Sequence, residues 1–309
     1  MLEKSADLIE IKKSKFACTK YSIVIPTYKR TSTLANTINS ALCQKYCGDY
    51  TIIVVDNSPE RKDDTELFME QITDPRIAYF KNEINVGMIN NWNQCILASN
   101  SEWVVIVHDD DLLDENCLIN VDNTIANNPG IDAVLPNFDQ KNNPYIKESN
   151  NFRIKNDNVF KRIARRLIRK DIPITANLFC DNIYGPPTCG LALRKKAVCE
   201  FGGFPDRCIA ADWDFMMQFS KNHKVLRCDN KTGTYLWAIN ASMNETTMEQ
   251  MRKDRITIIK DIVKQSNTGR FYYWLLKRDF DKKFAARITD HVDYSIVYKC
   301  LEKYYRQRI

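Results

Sequence analysis

Three consecutive carboxylates, Asp109, Asp110 and Asp111, close an apolar run that starts at Trp103 and passes through Val104, Val105, Ile106 and Val107. The run has the length and β-branching of a fully buried strand. Such a strand cannot hold unpaired charge in its interior, so the acids begin where the strand leaves the sheet. In open α/β sheets, ligands bind outside the carboxyl ends of the strands. Three adjacent carboxylates repel one another and make best chemical sense around a divalent cation. Hard oxygen donors suit Mg²⁺ or Mn²⁺. The competing reading places the acids at the N-terminus of the following helix, where negative charge is favourable. A cap needs one acid, not three.

Other strand ends carry matching chemistry. Tyr21-Ser-Ile-Val-Ile-Pro26 reads as a short buried strand that stops at a proline, followed by a loop from Thr27 to Arg30. Tyr50-Thr-Ile-Ile-Val-Val-Asp56 reads as a second, again ending in an acid. The Tyr28 ring, the Asp56 carboxylate and a metal site along one edge fit a nucleotide diphosphate. The ring can stack on a base, the carboxylate can accept from a base N–H or a ribose hydroxyl, and the cation can neutralise the phosphates. Asp56 taken alone is equally an Asx-turn acid. Neither GxGxxG nor GxxxxGK[ST] occurs, so a dinucleotide fold of the usual kind and a P-loop lack support.

The elements that must position these groups alternate. Thr31 or Ser32 can cap a helix running to Leu42. A helix over 65–72, a strand over 77–80, the turn Asn85-Val-Gly87 and a helix over 88–98 lead into the strand at 103–108. Strand–helix alternation predicts a parallel, doubly wound sheet. A strand at 133–138 opens the second half. Polar, basic residues follow to 185, then a turn into Leu191–Arg194 and a short helix ending near Gly203. Strands at 224–228 and 234–239 precede a helical tail, with apolar spacing over 246–264 and further helices from Phe271 to the end. The expected organisation is a lead-in over 1–20, a nucleotide-binding half over 21–130, a second half over 131–240 and a helical extension over 241–309.

Composition narrows the classes. The 309 residues are 44% hydrophobic, enough for a core, and no stretch reaches the roughly 18 apolar residues of a membrane span. The first 20 residues show no apolar signal-peptide core, so a cytoplasmic location is expected. Eleven cysteines lack any CxxC pair and only three histidines occur, which argues against zinc sites and a disulfide framework. The net charge of +6 is concentrated. Residues 161–170 hold six Lys/Arg and no acid, and residues 270–309 hold ten Lys/Arg against five Asp/Glu. Beside aromatic residues, such segments suit contact with an anionic membrane surface, or packing on the protein itself. No nucleic-acid-binding module frames them.

The motifs Ser22-Ile-Val-Ile-Pro-Thr-Tyr28, Ile53-Val-Val-Asp-Asn-Ser58, Asn85-Val-Gly87 and Val107-His-Asp-Asp-Asp111 resemble, in order and spacing, glycosyltransferase family 2 over about residues 20–240. The resemblance implies a GT-A fold: α/β, Rossmann-like, with a mostly parallel central sheet. It implies an inverting, metal-dependent transferase. Pro26 and Tyr28 would line the base pocket, Asp56 would contact the base, and Asn85 and Gly87 would lie on the donor side. Asp109, Asp110 and Asp111 would form the metal and diphosphate site, with Asp110 and Asp111 as ligands and Asp109 near the ribose or phosphates. His108 stands where the family often has its first Asp, and reads as a strand-end residue or as a group behind the metal ligands. Phe204-Pro-Asp-Arg-Cys-Ile-Ala-Ala-Asp-Trp-Asp214 resembles the family's Gly-Gly-Phe loop and Glu-Asp-x-Asp helix start. Asp212 then falls on the catalytic base, and Ala211 replaces the usual Glu. Without the resemblance, Asp212 reads as a helix N-cap and Asp214 as a first-turn acid.

The expected activity is transfer of a sugar, most simply from a UDP-sugar, to a hydroxyl of a surface glycan or a polyprenyl-diphosphate-linked oligosaccharide. Two other classes remain: a sugar-1-phosphate nucleotidyltransferase, whose usual Gly-rich loop is missing after the first strand, and a non-catalytic nucleotide-sugar-binding subunit.

Overall fold

The computed structural model describes residues 2, 7–16, 18–142 and 188–237, with a few positions between 246 and 257. The basic segment 161–170 and the tail from 258, with the helices expected there, lie outside the described residues.

Eight strands form the main sheet. They are β1 (Leu8–Lys12), β2 (Tyr21–Thr27), β3 (Tyr50–Asp56), β4 (Ile77–Asn82), β5 (Trp103–Ile106), β7 (Ala133–Leu135), β9 (Leu191–Arg194) and β10 (Val225–Arg227), in the spatial order β1-β4-β3-β2-β5-β9-β7-β10. β2 pairs in parallel with both β3 and β5, and β3 with β4. β9 runs antiparallel between β5 and β7. A second sheet orders β6 (Leu112–Leu113), β11 (Gly233–Trp237) and β8 (Phe138–Asn142) beside the strand ends.

Burial on both faces explains why β2 and β3 are apolar without alternation. Ile23, Ile25, Ile52 and Val54 point into one cluster, which also holds Leu34, Ile38, Met69 and Leu118. These belong to α1 (Thr31–Leu42), α2 (Asp64–Gln71) and α4 (Cys117–Ala126). Val24, Ile53, Val55, Val104 and Ile106 point into the other, with Ile89, Trp92, Val198 and Phe215. That face is covered by α3 (Met88–Ala98), α5 (Lys195–Phe201) and α6 (Ala211–Phe219). The result is a three-layer α/β/α body, as expected.

Five local expectations change. The lead-in is not loose: Leu8 to Lys12 pairs antiparallel with β4 as an edge strand. Its alternation of Leu, Ile, Glu, Ile and Lys suits a half-exposed edge rather than a core. The stretch 133–138 is two strands in two sheets, because Pro136 between them has no N–H to continue one ladder. Helix α1 is not capped by Thr31 or Ser32; Arg30 occupies the N-cap without a side-chain bond. Likewise α6 starts after Ala210, so Asp212 lies inside the first turn rather than at the cap.

Pro26 does not stop β2, which continues to Thr27. It shares the ladder parity of Val24, whose carbonyl accepts from Val107 N–H at 3.2 Å on the β5 side. The β2–β5 pairing ends at Val24–Ile106, so the missing N–H of Pro26 faces the place where β5 departs. The ladder between the two strands ends there, at the carboxyl edge.

Gly203 (φ +77°) turns the chain between α5 and α6, and a Cβ there would stand 2.5 Å from Asn93 Oδ1. That oxygen accepts from Phe204 N–H at 2.8 Å, while Asn93 Nδ2 donates to Phe204 O at 2.9 Å. Gly203→Ala is expected to cost about 2 kcal/mol through strain and loss of this clasp, read as a lower midpoint in chemical denaturation.

Candidate active site

The acid triplet sits where β5 ends, and each carboxylate finds a different partner. Thr27 Oγ1, at the last residue of β2, donates to Asp109 Oδ2 at 2.7 Å. Arg30 Nη1, in the loop after β2, donates to Asp110 Oδ2 at 2.6 Å and lies 3.5 Å from Asp109 Oδ1. Asp111 Oδ1 accepts from the Leu236 N–H of β11 at 2.9 Å. The turn itself is held by Thr37 of α1, whose hydroxyl donates to Asp111 O at 2.8 Å.

Burial dominates the electrostatics. Asp109 is pushed up to about 7, first by burial and then by Asp110, with Arg30 and Thr27 opposing. Asp111 is likewise raised by burial and by Asp110. His108 is depressed to about 4 by burial, against the pull of Asp110. Its ring stacks on Trp92 with centroids 4.8 Å apart, and its Nε2 lies 2.6 Å from Thr188 Oγ1.

A cation fits this donor set. Asp111 is 1% exposed, yet its Oδ2 has no hydrogen-bond partner. An orphaned, buried carboxylate oxygen is costly. One donor atom each from His108, Asp110 and Asp111 lie within 4.8 Å of one another. Positive charge at that point would satisfy the orphan and relieve the repulsion.

Asp56 ends β3 and is fully buried. Its Oδ2 accepts from Tyr79 OH at 2.8 Å and from Lys81 Nζ at 3.0 Å, and its Oδ1 accepts from Ser58 N–H at 2.9 Å. Burial nevertheless holds its pKa above the usual range. Lys81 is buried too, and also meets Asp63 at 2.9 Å and Glu66 at 3.7 Å. Glu66 is held down to about 2, chiefly by Arg61. Sequence reading missed this cluster, although a lone lysine ending an apolar strand required buried counter-charges.

Next to Asp56, Asn57 Nδ2 donates to Asn85 Oδ1 at 2.8 Å, and Gly87 N–H donates to the same oxygen at 2.9 Å. This ties the Asn85–Gly87 turn to the end of β3, with Gly87 at φ +84°. Pro26 is buried and Tyr28 is 43% exposed, with Lys29 Nζ 5.5 Å from its ring centroid. Pro26, Tyr28, Asp56, Asn85, Gly87 and the triplet therefore lie along one sheet edge.

Asp212 stands on a separate element. It occupies the first turn of α6 and accepts from Trp213 N–H at 2.8 Å. Asp214 is fully buried and bonded by the Arg207 guanidinium, a structural role. The α6 segment reaches the triplet through rings: Phe215 lies 4.4 Å from Phe204, Phe204 packs edge-on to Trp92 at 5.5 Å, and Trp92 meets His108.

A family model, Glycosyl transferase family 2, matches residues 22–198. The chain belongs to this family. Among curated proteins, WcaA of Escherichia coli (strain K12), named for colanic acid biosynthesis, is 32% identical over 90 residues, 29% of this chain and 32% of its own. An uncharacterized glycosyltransferase of Haemophilus influenzae is 23% identical over 199 residues, 64% of this chain and 60% of its own. The chain thus spans about a third and three fifths of these relatives. Among solved structures, S. aureus TarS 1–349 with UDP-GlcNAc aligns at TM-score 0.55 and 17% identity, covering 79% of this chain and 65% of that one. Mannosyltransferase PcManGT of Pyrobaculum calidifontis, with GDP-Man and Mn²⁺, aligns at 0.59 and 14% identity, covering 95% and 81%. The fold of this family 2 chain is therefore GT-A.

Two outcomes are expected. Lys81→Met leaves Asp56 and Glu66 as buried charges without their shared counterion, and should cost about 3–5 kcal/mol in urea denaturation. The Asp109 shift fixes a pH dependence. A carboxyl whose folded pKa lies above its ordinary 3.8 binds more protons folded than unfolded. Its contribution to stability is present at low pH and is lost as pH rises from 3.8 towards about 7. Asp109→Asn should remove that decline, seen by comparing denaturation midpoints between these pH values.

Proposed function

We propose that this chain is an inverting, metal-dependent glycosyltransferase that uses a nucleotide diphosphate sugar, most simply a UDP-sugar. The observation that carries the reading is the orphaned Asp111 oxygen among clustered acids, at the carboxyl edge of a family 2 sheet. Relatives supply the donor class: TarS has been solved with UDP-GlcNAc and PcManGT with GDP-Man and Mn²⁺.

Asp110 and Asp111 hold the cation, Mn²⁺ or Mg²⁺, which supplies a counter-charge for the leaving diphosphate. Tyr28 and Pro26 bracket the base. Asp56, fixed by Lys81 and Tyr79, presents a rigid acceptor to it, with the Asn85–Gly87 turn beside it on the donor side. Asp109, held by Thr27, lies towards the ribose or phosphates, and Arg30 adds positive charge on the same side. Asp212 is the general base. It takes the proton of the acceptor hydroxyl as that oxygen bonds to the anomeric carbon. The carbon–oxygen bond to the diphosphate breaks at the same time, its electron pair leaves with the nucleotide, and the anomeric centre inverts. One carboxylate suffices for this single displacement.

The acceptor is a hydroxyl of a glycan or of a polyprenyl-diphosphate-linked oligosaccharide. The basic stretches 161–170 and 270–309 carry charge suited to the anionic cytoplasmic face of a membrane. Among the described residues, no helix is long and apolar enough to cross a membrane.

The test is thermal stability against UDP, GDP, CDP and dTDP, with and without Mn²⁺. A ligand that binds only the folded state adds about 2.7 kcal/mol at 100 times its Kd. One nucleotide should raise the melting temperature only with metal, and Asp110→Ala should abolish the shift. Asp212→Asn should keep the shift and lose about 10²- to 10⁴-fold in sugar transfer. No shift with any nucleotide, in a well-folded preparation, would sink the reading.

A further inference from the structure

We propose that His108 is a direct ligand of the cation, so that the site is a mixed imidazole–carboxylate site which takes a transition-series divalent ion such as Mn²⁺ in preference to Mg²⁺. The inference rests on the reading above for the presence of a cation beside Asp110 and Asp111.

Geometry is the first support. A ring nitrogen of His108 and one carboxylate oxygen from each of Asp110 and Asp111 fall within 4.8 Å of one another. Two donors on opposite sides of a single ion stand about 4 to 5 Å apart, so this spread matches one ion.

The second support is independent of the acids' mere clustering. Asp111 Oδ1 is used by the Leu236 N–H, while Oδ2, on a side chain almost wholly removed from water, has no partner. A buried carboxylate oxygen left this way requires an explanation, and a bound ion supplies one beside two further donors.

The third is the way His108 is held. Trp92 covers one face of its ring, with planes 31° apart. Thr188, 80 residues further along the chain, sits 2.6 Å from its Nε2. Thr188 is itself 1% exposed. In the tautomer whose Nε2–H donates to the Thr188 hydroxyl, Nδ1 carries the free lone pair. Metal-bound histidines are held in this manner, their second nitrogen hydrogen-bonded by an outer group that fixes tautomer and ring direction.

The chemistry follows from donor type. Mg²⁺ keeps to oxygen donors and retains its waters. An imidazole is a borderline-soft donor that favours first-row transition ions. A carboxylate in place of His108 would remove that discrimination.

The experiment is Mn²⁺ titration of the full chain by electron paramagnetic resonance, with pulsed detection of ¹⁴N and ³¹P couplings, with and without UDP. Bound Mn²⁺ should show a ¹⁴N coupling from a coordinated imidazole, and a ³¹P coupling when UDP is added. Mg²⁺ should displace it only weakly. His108→Asp should keep Mn²⁺, lose the ¹⁴N coupling and narrow the Mn²⁺ over Mg²⁺ preference by about 10-fold or more, and Thr188→Val should weaken Mn²⁺ binding by about 10-fold. The wild-type spectrum decides the matter even where a variant fails to fold. Mn²⁺ that binds with ³¹P coupling but without ¹⁴N coupling overturns the His108 assignment and leaves the transferase reading intact. No bound Mn²⁺ under either condition overturns both.

Discussion

Like charges on neighbouring residues cannot share one buried environment, and the described fold is arranged around that constraint. β5 delivers three carboxylates in a row to the edge of an apolar sheet. Each is taken by a different element: Asp109 by the end of β2, Asp110 by the loop after it, Asp111 by the backbone of β11. Splitting the partners in this way keeps two acids almost wholly out of water without pairing each to its own cation. The arrangement is left short of positive charge, with one arginine, Arg30, against three acids. Under the proposed function, a cation drawn there arrives where a diphosphate would need neutralising.

The same logic runs through the neighbouring cluster. Lys81 compensates Asp56, Asp63 and Glu66 together, and Arg61 takes a further share of Glu66. Buried charge networks of this type add little net stability, since desolvation offsets attraction. Their effect is geometric. Asp56 is held by three donors and has one orientation.

How much of this was legible follows from range. Strands buried on both faces announce themselves by composition, so β2, β3 and β5 could be read directly, as could the acids at their ends. β1 was missed because a half-exposed edge mixes Glu and Lys with its apolar residues, and β7 and β8 were merged across Pro136. The loop after Pro26 and the turn at Asn85 to Gly87 could be placed from local pattern. Residues defined by distant partners could not: Thr188 meets His108 across 80 positions, and Leu236 meets Asp111 across 125. Nothing in a linear pattern marks a backbone N–H as the anchor of an acid that far away. The partners of His108 likewise come from α3 and from the turn before β9.

The span of those contacts has a consequence for how the protein is made. Domains form from the N-terminus as the chain leaves the ribosome, at about 5 to 20 residues per second. β1 to β5 and the acids that follow are all encoded within the first 111 residues. The Asp111 anchor, however, waits for residue 236, well over a hundred positions later. During that interval of many seconds, the acids emerge on a main sheet that first lacks β7, β9 and β10, and without β11 of the second sheet. A growing chain therefore carries the three acids well before it carries the N–H that anchors Asp111, and that anchor forms only when β11 docks.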